Sequence, residues 1–151
     1  MTFKYPLLED AFSNEDLDSA IKVIKSKKLT MSKKTKEFEK KFSNFFNTKF
    51  TLMLNSGSSA NLLAFFALIN PLKKNNLKAG DECLVPALCW STSLWPIVQA
   101  GLKPKFIDVD LKTFSPSLEI IKKNITKRTK AIMLINVLGN CSELDKIKKF
   151  T

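Results

Sequence analysis

The sequence contains no histidine, a single arginine (Arg128), three cysteines, and no uninterrupted apolar run near the ~20 residues a membrane span requires. Without an imidazole, Ser-His and Cys-His nucleophilic chemistry and histidine ligation of metals lie outside what this chain can do unaided. The cysteines, Cys83, Cys89 and Cys141, are odd in number and lack CxxC spacing, so neither a disulfide framework nor a zinc site is indicated. They are expected to be buried free thiols in a reducing compartment. The longest apolar candidate, Asn61 to Leu72, is interrupted and too short to span a bilayer. The opening stretch, MTFKYPLLEDAFSNEDLD, turns acidic early and has neither a signal-peptide apolar region nor a transit-peptide composition. A cytoplasmic protein that makes no use of a membrane is the expectation.

What is present fits an ordinary globular domain: 151 residues, 44% hydrophobic and 26% charged. Lys+Arg of 25 against Asp+Glu of 14 gives +11, so an anionic partner has to be considered. The charge is almost entirely lysine, whereas arginine is the preferred base-reading residue, so nucleic acid is not the expected partner.

Two amphipathic helices come first. Ser13-Asn14-Glu15-Asp16 has the form of a capping box, and Leu17, Ala20, Ile21 and Ile24 follow at helical spacing. The linker Leu29-Thr30-Met31 leads to a second helix from about Ser32. It carries Phe38, Phe42, Phe45 and Phe46 on one stripe, and its lysines lie elsewhere on a solvated face.

From residue 49 the pattern changes to strands alternating with helices. Phe50 to Leu54 is a strand candidate, and Ser58 to Ile69 is a helix apolar on nearly every face, hence expected to be buried. Glu82 to Pro86 is a second strand, Ser91 to Ala100 a helix, and Pro104 to Val109 a third strand. A helix opens at Pro116, Ala131 to Ile135 is a fourth strand, Gly139-Asn140 its turn, and 143–150 an interrupted helix. This rhythm predicts an α/β fold of βαβ units with a mostly parallel sheet and flanking helices. Ligands of such sheets bind at the carboxyl ends of the strands.

Small polar clusters fall there. In Asn55-Ser56-Gly57-Ser58-Ser59, glycine, hydroxyls and free amides at a helix N-terminus suit a phosphate monoester, because orphan N–H groups and the dipole both favour an anion. The cluster is neither GxGxxG nor a P-loop. A serine-rich N-cap with no ligand explains the same residues. In Pro86 to Thr92, Trp90 can stack on a planar ring, and Ser91 or Thr92 can cap the next helix; taken by itself, Trp90 is better read as packing against the sheet. Trp95 reads as a core residue. Asp108 and Asp110 read as turn residues at a strand end rather than a metal or acid-base pair.

Taken together, YPLLEDAF, LTMSKKTKEFEKKF, LNSGSSANLLAFFAL, KAGDECLVPALCWSTSLWPIVQAGLKPKFIDVDLKTF and ITKRTKAIMLINVLGN closely resemble the N-terminal part of the DegT/StrS sugar aminotransferase family, and most of all its sugar 3-dehydratase branch. The resemblance implies a pyridoxal-phosphate enzyme of the aspartate aminotransferase fold (fold type I). It implies a helical segment over 1–48 and an incomplete cofactor-binding large domain over 49–151.

It also implies cofactor-binding roles: Gly57, Ser58 and Ser59 for the phosphate of pyridoxal or pyridoxamine 5'-phosphate, and Trp90 for stacking on its ring. These are the clusters singled out on physical grounds. Asn136 would face the same crevice with at most an indirect role. The family's pyridinium-pairing aspartate, and the lysine or, in the dehydratase branch, histidine of the chemical step, match nothing in this sequence. Lys146, Lys148 and Lys149 lack the motif context, so no catalytic residue and no metal ligand is assigned, and the chain alone is expected to be inactive.

The implied substrate is a nucleotide-linked 4-keto-6-deoxy sugar of deoxysugar and lipopolysaccharide biosynthesis. An aminotransferase using glutamate is the alternative activity, and a non-catalytic fragment the alternative class. A homodimer is implied, with sites built at the subunit interface.

Overall fold

A computed structural model describes residues 9, 11–30 and 32–151. The expectations for the first eight residues, for Asp10 and for Met31 of the Leu29-Thr30-Met31 linker lie outside the described residues. The chain divides into two compact units, Met1–Met53 and Leu54–Thr151.

In the first unit, α1 (Asn14–Lys25) and α2 (Lys33–Phe46) are the two expected helices. The α1 capping box forms as read: Asp16 N–H donates to Ser13 Oγ at 3.2 Å, and Ser13 N–H donates to Asp16 Oδ2 at 2.9 Å. Helix α2 ends at Asn47, whose φ of 50° is the left-handed conformation that asparagine tolerates at a helix end. The phenylalanine stripe stacks along α2, with ring centroids of Phe38 and Phe42 5.6 Å apart and of Phe42 and Phe46 4.5 Å apart.

The expected strand at Phe50–Leu54 does not form. Two of its polar groups bond to α2 instead. Met53 N–H donates to Glu39 Oε1 at 2.9 Å, and Ser43 Oγ donates to Thr51 Oγ1 at 2.8 Å.

The second unit is a three-stranded parallel sheet in the order β2-β1-β3, covered on both faces. The strands are β1 (Glu82–Pro86), β2 (Lys103–Ile107) and β3 (Thr129–Ile132). Both outer strands sit near their expected positions, β2 ending and β3 starting about two residues earlier than the apolar runs suggest. The helices are α3 (Gly57–Ile69), α4 (Ser91–Gln99), α5 (Leu118–Asn124) and α6 (Leu144–Phe150), with a 3-10 turn at Val137–Gly139.

Strand β1 is buried at every residue, as a central parallel strand must be. Its side chains alternate between two cores. Cys83 and Val85 pack with Phe65 of α3 and Ile97 of α4 on one face, and Leu84 packs with Ile107, Ile121 of α5 and Ile147 of α6 on the other. The order of elements and the two-sided covering are the α/β architecture expected from the rhythm of strands and helices.

Helix α3 departs from expectation. Phe65 is its one buried residue, while Leu63 and Phe66 remain 44% and 47% exposed. An all-round apolar helix needs cover on every side, and in this unit only the face toward the sheet receives it.

Candidate functional site

Helix α3 begins at the expected turn. Ser56 is its N-cap, accepting the Ser59 N–H on Oγ at 3.1 Å and the Ala60 N–H on its carbonyl at 3.0 Å. Gly57 and Ser58 occupy the first turn, where no helical carbonyl lies four residues back to receive their N–H groups. A Cβ built on Gly57 would meet no atom within 4 Å, so the backbone here faces open space that a ligand can approach. Ser58 is exposed and Ser59 half-buried. Together these give a helix N-terminus presenting two amides and two hydroxyls, with the positive end of the dipole behind them.

Ser58 and Ser59 open onto a cleft of about 240 Å³ that also borders Leu62 of α3 and Thr92, Trp95, Pro96 and Gln99 of α4. Every side chain named is uncharged, so an anion would be held through neutral donors and the helix field. Neither Thr92, Trp95 nor Gln99 was assigned to this place from the sequence. Trp95 was expected in the core; it is 56% exposed, because its position on α4 faces the cleft while Ile97 turns to the sheet. Its spacing from Ile97 on a helix could have signalled this.

Trp90 lies at the carboxyl end of β1, two residues before Thr92 and outside the cleft lining. Its side chain is 75% exposed and does not pack against the sheet. It occupies the N-cap position of α4 without a side-chain cap, so neither Ser91 nor Thr92 caps this helix as expected. Ser93 N–H donates to the Trp90 carbonyl at 2.9 Å, which ties the tryptophan backbone to the first turn.

Asn136, at the carboxyl end of β3, is already engaged. Its Oδ1 accepts the Ser142 N–H at 3.0 Å, which fixes the loop around Val137–Gly139. Asp108 and Asp110 serve turns: Asp108 Oδ1 accepts the Val109 N–H at 2.8 Å, and Asp110 Oδ1 accepts the Lys112 N–H at 2.7 Å. No group of three potential metal-ligating side chains occurs among the described residues.

The thiols differ from the uniform burial expected of them: Cys83 is buried, Cys89 half-buried and Cys141 exposed. Burial pushes the Cys83 thiol up to about 12, since desolvation penalises the thiolate. Cys141 follows the exposed 3-10 turn rather than a core strand, which accounts for its exposure.

Residues 10–151 match the DegT/DnrJ/EryC1/StrS aminotransferase family. The chain is 41% identical over 147 residues to GDP-4-keto-6-deoxy-D-mannose 3-dehydratase of Yersinia pseudotuberculosis, covering 97% of this chain and 37% of that protein. It is 28% identical over 146 residues to dTDP-4-dehydro-2,3,6-trideoxy-D-glucose 4-aminotransferase of Saccharopolyspora spinosa, covering 95% of this chain and 36% of that one.

Among solved structures it superposes on E. coli GDP-4-keto-6-deoxy-D-mannose-3-dehydratase with bound hydrated PLP at a TM-score of 0.90 and 40% identity, over 99% of this chain and 38% of that chain. This chain therefore spans about 37% of the length of the first of these relatives. No helix among the described residues is long and apolar enough to cross a membrane.

Proposed function

The chain belongs to the DegT/DnrJ/EryC1/StrS aminotransferase family, and from that premise we propose that it supplies the phosphate cradle and ring-stacking wall of a pyridoxal- or pyridoxamine-phosphate site. The enzyme in view acts as a 3-dehydratase on a nucleotide-linked 4-keto-6-deoxy sugar in deoxysugar biosynthesis. The observation that carries this reading is the open first turn of α3, where Gly57, Ser58 and Ser59 present donors at the positive end of a 13-residue helix. Their chemistry fits a phosphate monoester: neutral donors, no acidic side chain in the cleft lining, and backbone that a side chain on Gly57 would otherwise screen.

Ser58 and Ser59 would bind the phosphate and anchor the cofactor. Trp90, projecting at the carboxyl end of β1, would lie against the ring and exclude water from one side of it. The cofactor itself, when bound, supplies the electron sink for chemistry at the sugar carbons. No side chain of this chain is assigned to a proton transfer: histidine is absent, and Lys146, Lys148 and Lys149 are exposed on α6. The chain is accordingly proposed to bind cofactor without turning over substrate by itself. The identity of 41% to the dehydratase against 28% to the aminotransferase favours elimination over glutamate-dependent amino transfer. A homodimer and a cytoplasmic location belong to the same proposal.

The test is a titration of the purified chain with pyridoxal 5'-phosphate, followed by absorbance in the cofactor band and by thermal stability. Binding is expected to fall about tenfold or more in Ser58→Ala, the scale of one hydrogen bond to a charged acceptor, and to vanish when Trp90→Ala is added. A chain that shows no spectral or thermal response, or a double variant that binds as the parent does, would overturn the reading.

A further inference from the structure

Helix α4 contains a proline, the buried Pro96. Proline has no N–H, so the carbonyl four residues back, that of Thr92, is deprived of its intrahelical donor. An unmet carbonyl in a half-buried turn is costly, and the structure meets it from another helix. Asn61 Nδ2 of α3 donates to the Thr92 carbonyl at 3.2 Å, across a sequence separation of 31 residues. Only the amide nitrogen can serve a carbonyl, so the orientation of the Asn61 side chain is fixed by the bond itself.

The bond joins the two parts of the candidate site. On one side Asn61 sits in the second turn of α3, directly after the Gly57-Ser58-Ser59 turn. On the other, Thr92 sits in the first turn of α4, and Ser93 N–H binds the Trp90 carbonyl at 2.9 Å. A rotation of α4 about its axis, or a slide along α3, would break the Asn61 contact. The bond adds a directional constraint to the non-directional apolar packing between α3 and α4.

We infer that Asn61, recruited by the gap that Pro96 leaves, is a positioning residue that sets Trp90 in register with the Ser58-Ser59 cradle. The role rests on the cofactor reading above. It differs from simple satisfaction of a carbonyl, and the two can be separated. In Pro96→Ala the helix recovers its own donor to Thr92, so a purely structural loss caused by Asn61→Ala is repaired in the double variant. The alignment across the two helices is not.

The experiment uses the full chain in a Trp95→Phe background, so that Trp90 is the only indole; because Trp95 borders the cleft, every affinity and melting temperature is read against Trp95→Phe itself. Thermal stability, Trp90 fluorescence anisotropy, and affinities for pyridoxal 5'-phosphate and inorganic phosphate are measured for Asn61→Ala, Asn61→Asp, Pro96→Ala and Asn61→Ala/Pro96→Ala. Asn61→Ala and Asn61→Asp are expected to lower Trp90 anisotropy and to weaken pyridoxal 5'-phosphate about tenfold, the scale of one lost hydrogen bond. Affinity for inorganic phosphate should stay unchanged, since the cradle is untouched. Pro96→Ala alone, which keeps Asn61, is expected to hold the background's anisotropy and cofactor affinity although Pro96 borders the cleft, whereas adding it to Asn61→Ala is expected to restore the melting temperature and leave the anisotropy and cofactor affinity low.

Recovery of all three in the double variant, or unchanged anisotropy in both Asn61 variants, would overturn the positioning role. If the parent chain binds no pyridoxal 5'-phosphate, the cofactor reading falls and with it the role given to Asn61, while the anisotropy series still reports whether the interhelical bond exists.

Discussion

Cys83 offers a sharp test of the two-sided sheet, because its reactivity follows from its place on β1. The residue is fully buried between α3 and α4 on one face of the central strand, and desolvation pushes its thiol up to about 12. At about pH 8 roughly one Cys83 in ten thousand is then a thiolate, against about a quarter of an ordinary thiol with a pKa near 8.5. Ionisation alone therefore slows attack on a disulfide reagent by about three orders of magnitude.

Exclusion of the reagent from the core slows it further, so that modification has to wait for the second unit to open. In native buffer the reagent should consume Cys141 rapidly, Cys89 more slowly, and Cys83 only over a much longer period. In strong urea the three should react together. A Cys83→Ala variant identifies the slow phase by removing it. Three thiols reacting at comparable rates in native buffer would refute the reasoning, because it would mean that β1 is not the covered centre of the sheet.

Two other outcomes follow from named contacts. Glu82, at the start of β1, accepts Thr129 Oγ1 at 2.5 Å and Thr126 Oγ1 at 3.1 Å. The Thr129 bond, assisted by Thr126 and by Lys105 and Arg128, holds its carboxyl below the usual carboxylate range against the opposing effect of burial. A depressed carboxylate stabilises the fold above its ordinary range and loses that contribution as pH falls through its own lowered value. Glu82→Gln should therefore unfold at lower urea than the parent near neutrality, with the gap narrowing on acidification; a gap independent of pH would count against the contact.

Two glycines should part company on substitution by alanine. Gly101, at φ +73°, should lose about 1–2 kcal/mol by urea unfolding from backbone conformation, since its Cβ would meet Ala79 only at an ordinary 3.6 Å. Gly57, with open space around it, should hold or gain stability while binding pyridoxal 5'-phosphate more weakly; equal stability losses at both positions would contradict the assignment.

The capping box of Ser13 and Asp16, the helical phase of α1 and α2, and the apolar strand at Glu82–Pro86 were legible because each is set by residues close in sequence. So was the turn that starts α3, since an N-cap serine and a following glycine declare a helix start without reference to anything distant. Legibility failed where the deciding partner was remote. Phe50–Leu54 has strand composition, but Glu39 of α2 takes one of its amides, and no local pattern announces that.

Helix α3 reads as buried because apolar residues surround it, yet burial depends on what packs against each face. The left-handed backbone at Phe114 and Leu138 has no local signature either, because neither residue favours positive φ. The cleft beside Ser58 was half legible. The serines were visible in the first turn, whereas Thr92, Trp95 and Gln99 reach it only through the packing of α4 on α3. A proline inside α4 was plainly visible, but its partner Asn61 could be named only once the two helices stood side by side.

The strand order also shapes the sequence of events by which the sheet assembles. Glu82 pairs with Lys103 on one side and with Thr129 on the other, so the second closure encloses more than twice as much chain as the first. Loop closure costs more as the enclosed chain lengthens, and non-local pairing slows folding. On loop-closure cost the β1-α4-β2 segment, which carries Trp90 and Pro96, is expected to pair first. Strand β3 is then expected to join afterwards, bringing Thr129 to Glu82 and closing the second core around Ile147. Mutations within β1 and α4 would then slow folding, while mutations confined to α6 would mainly hasten unfolding.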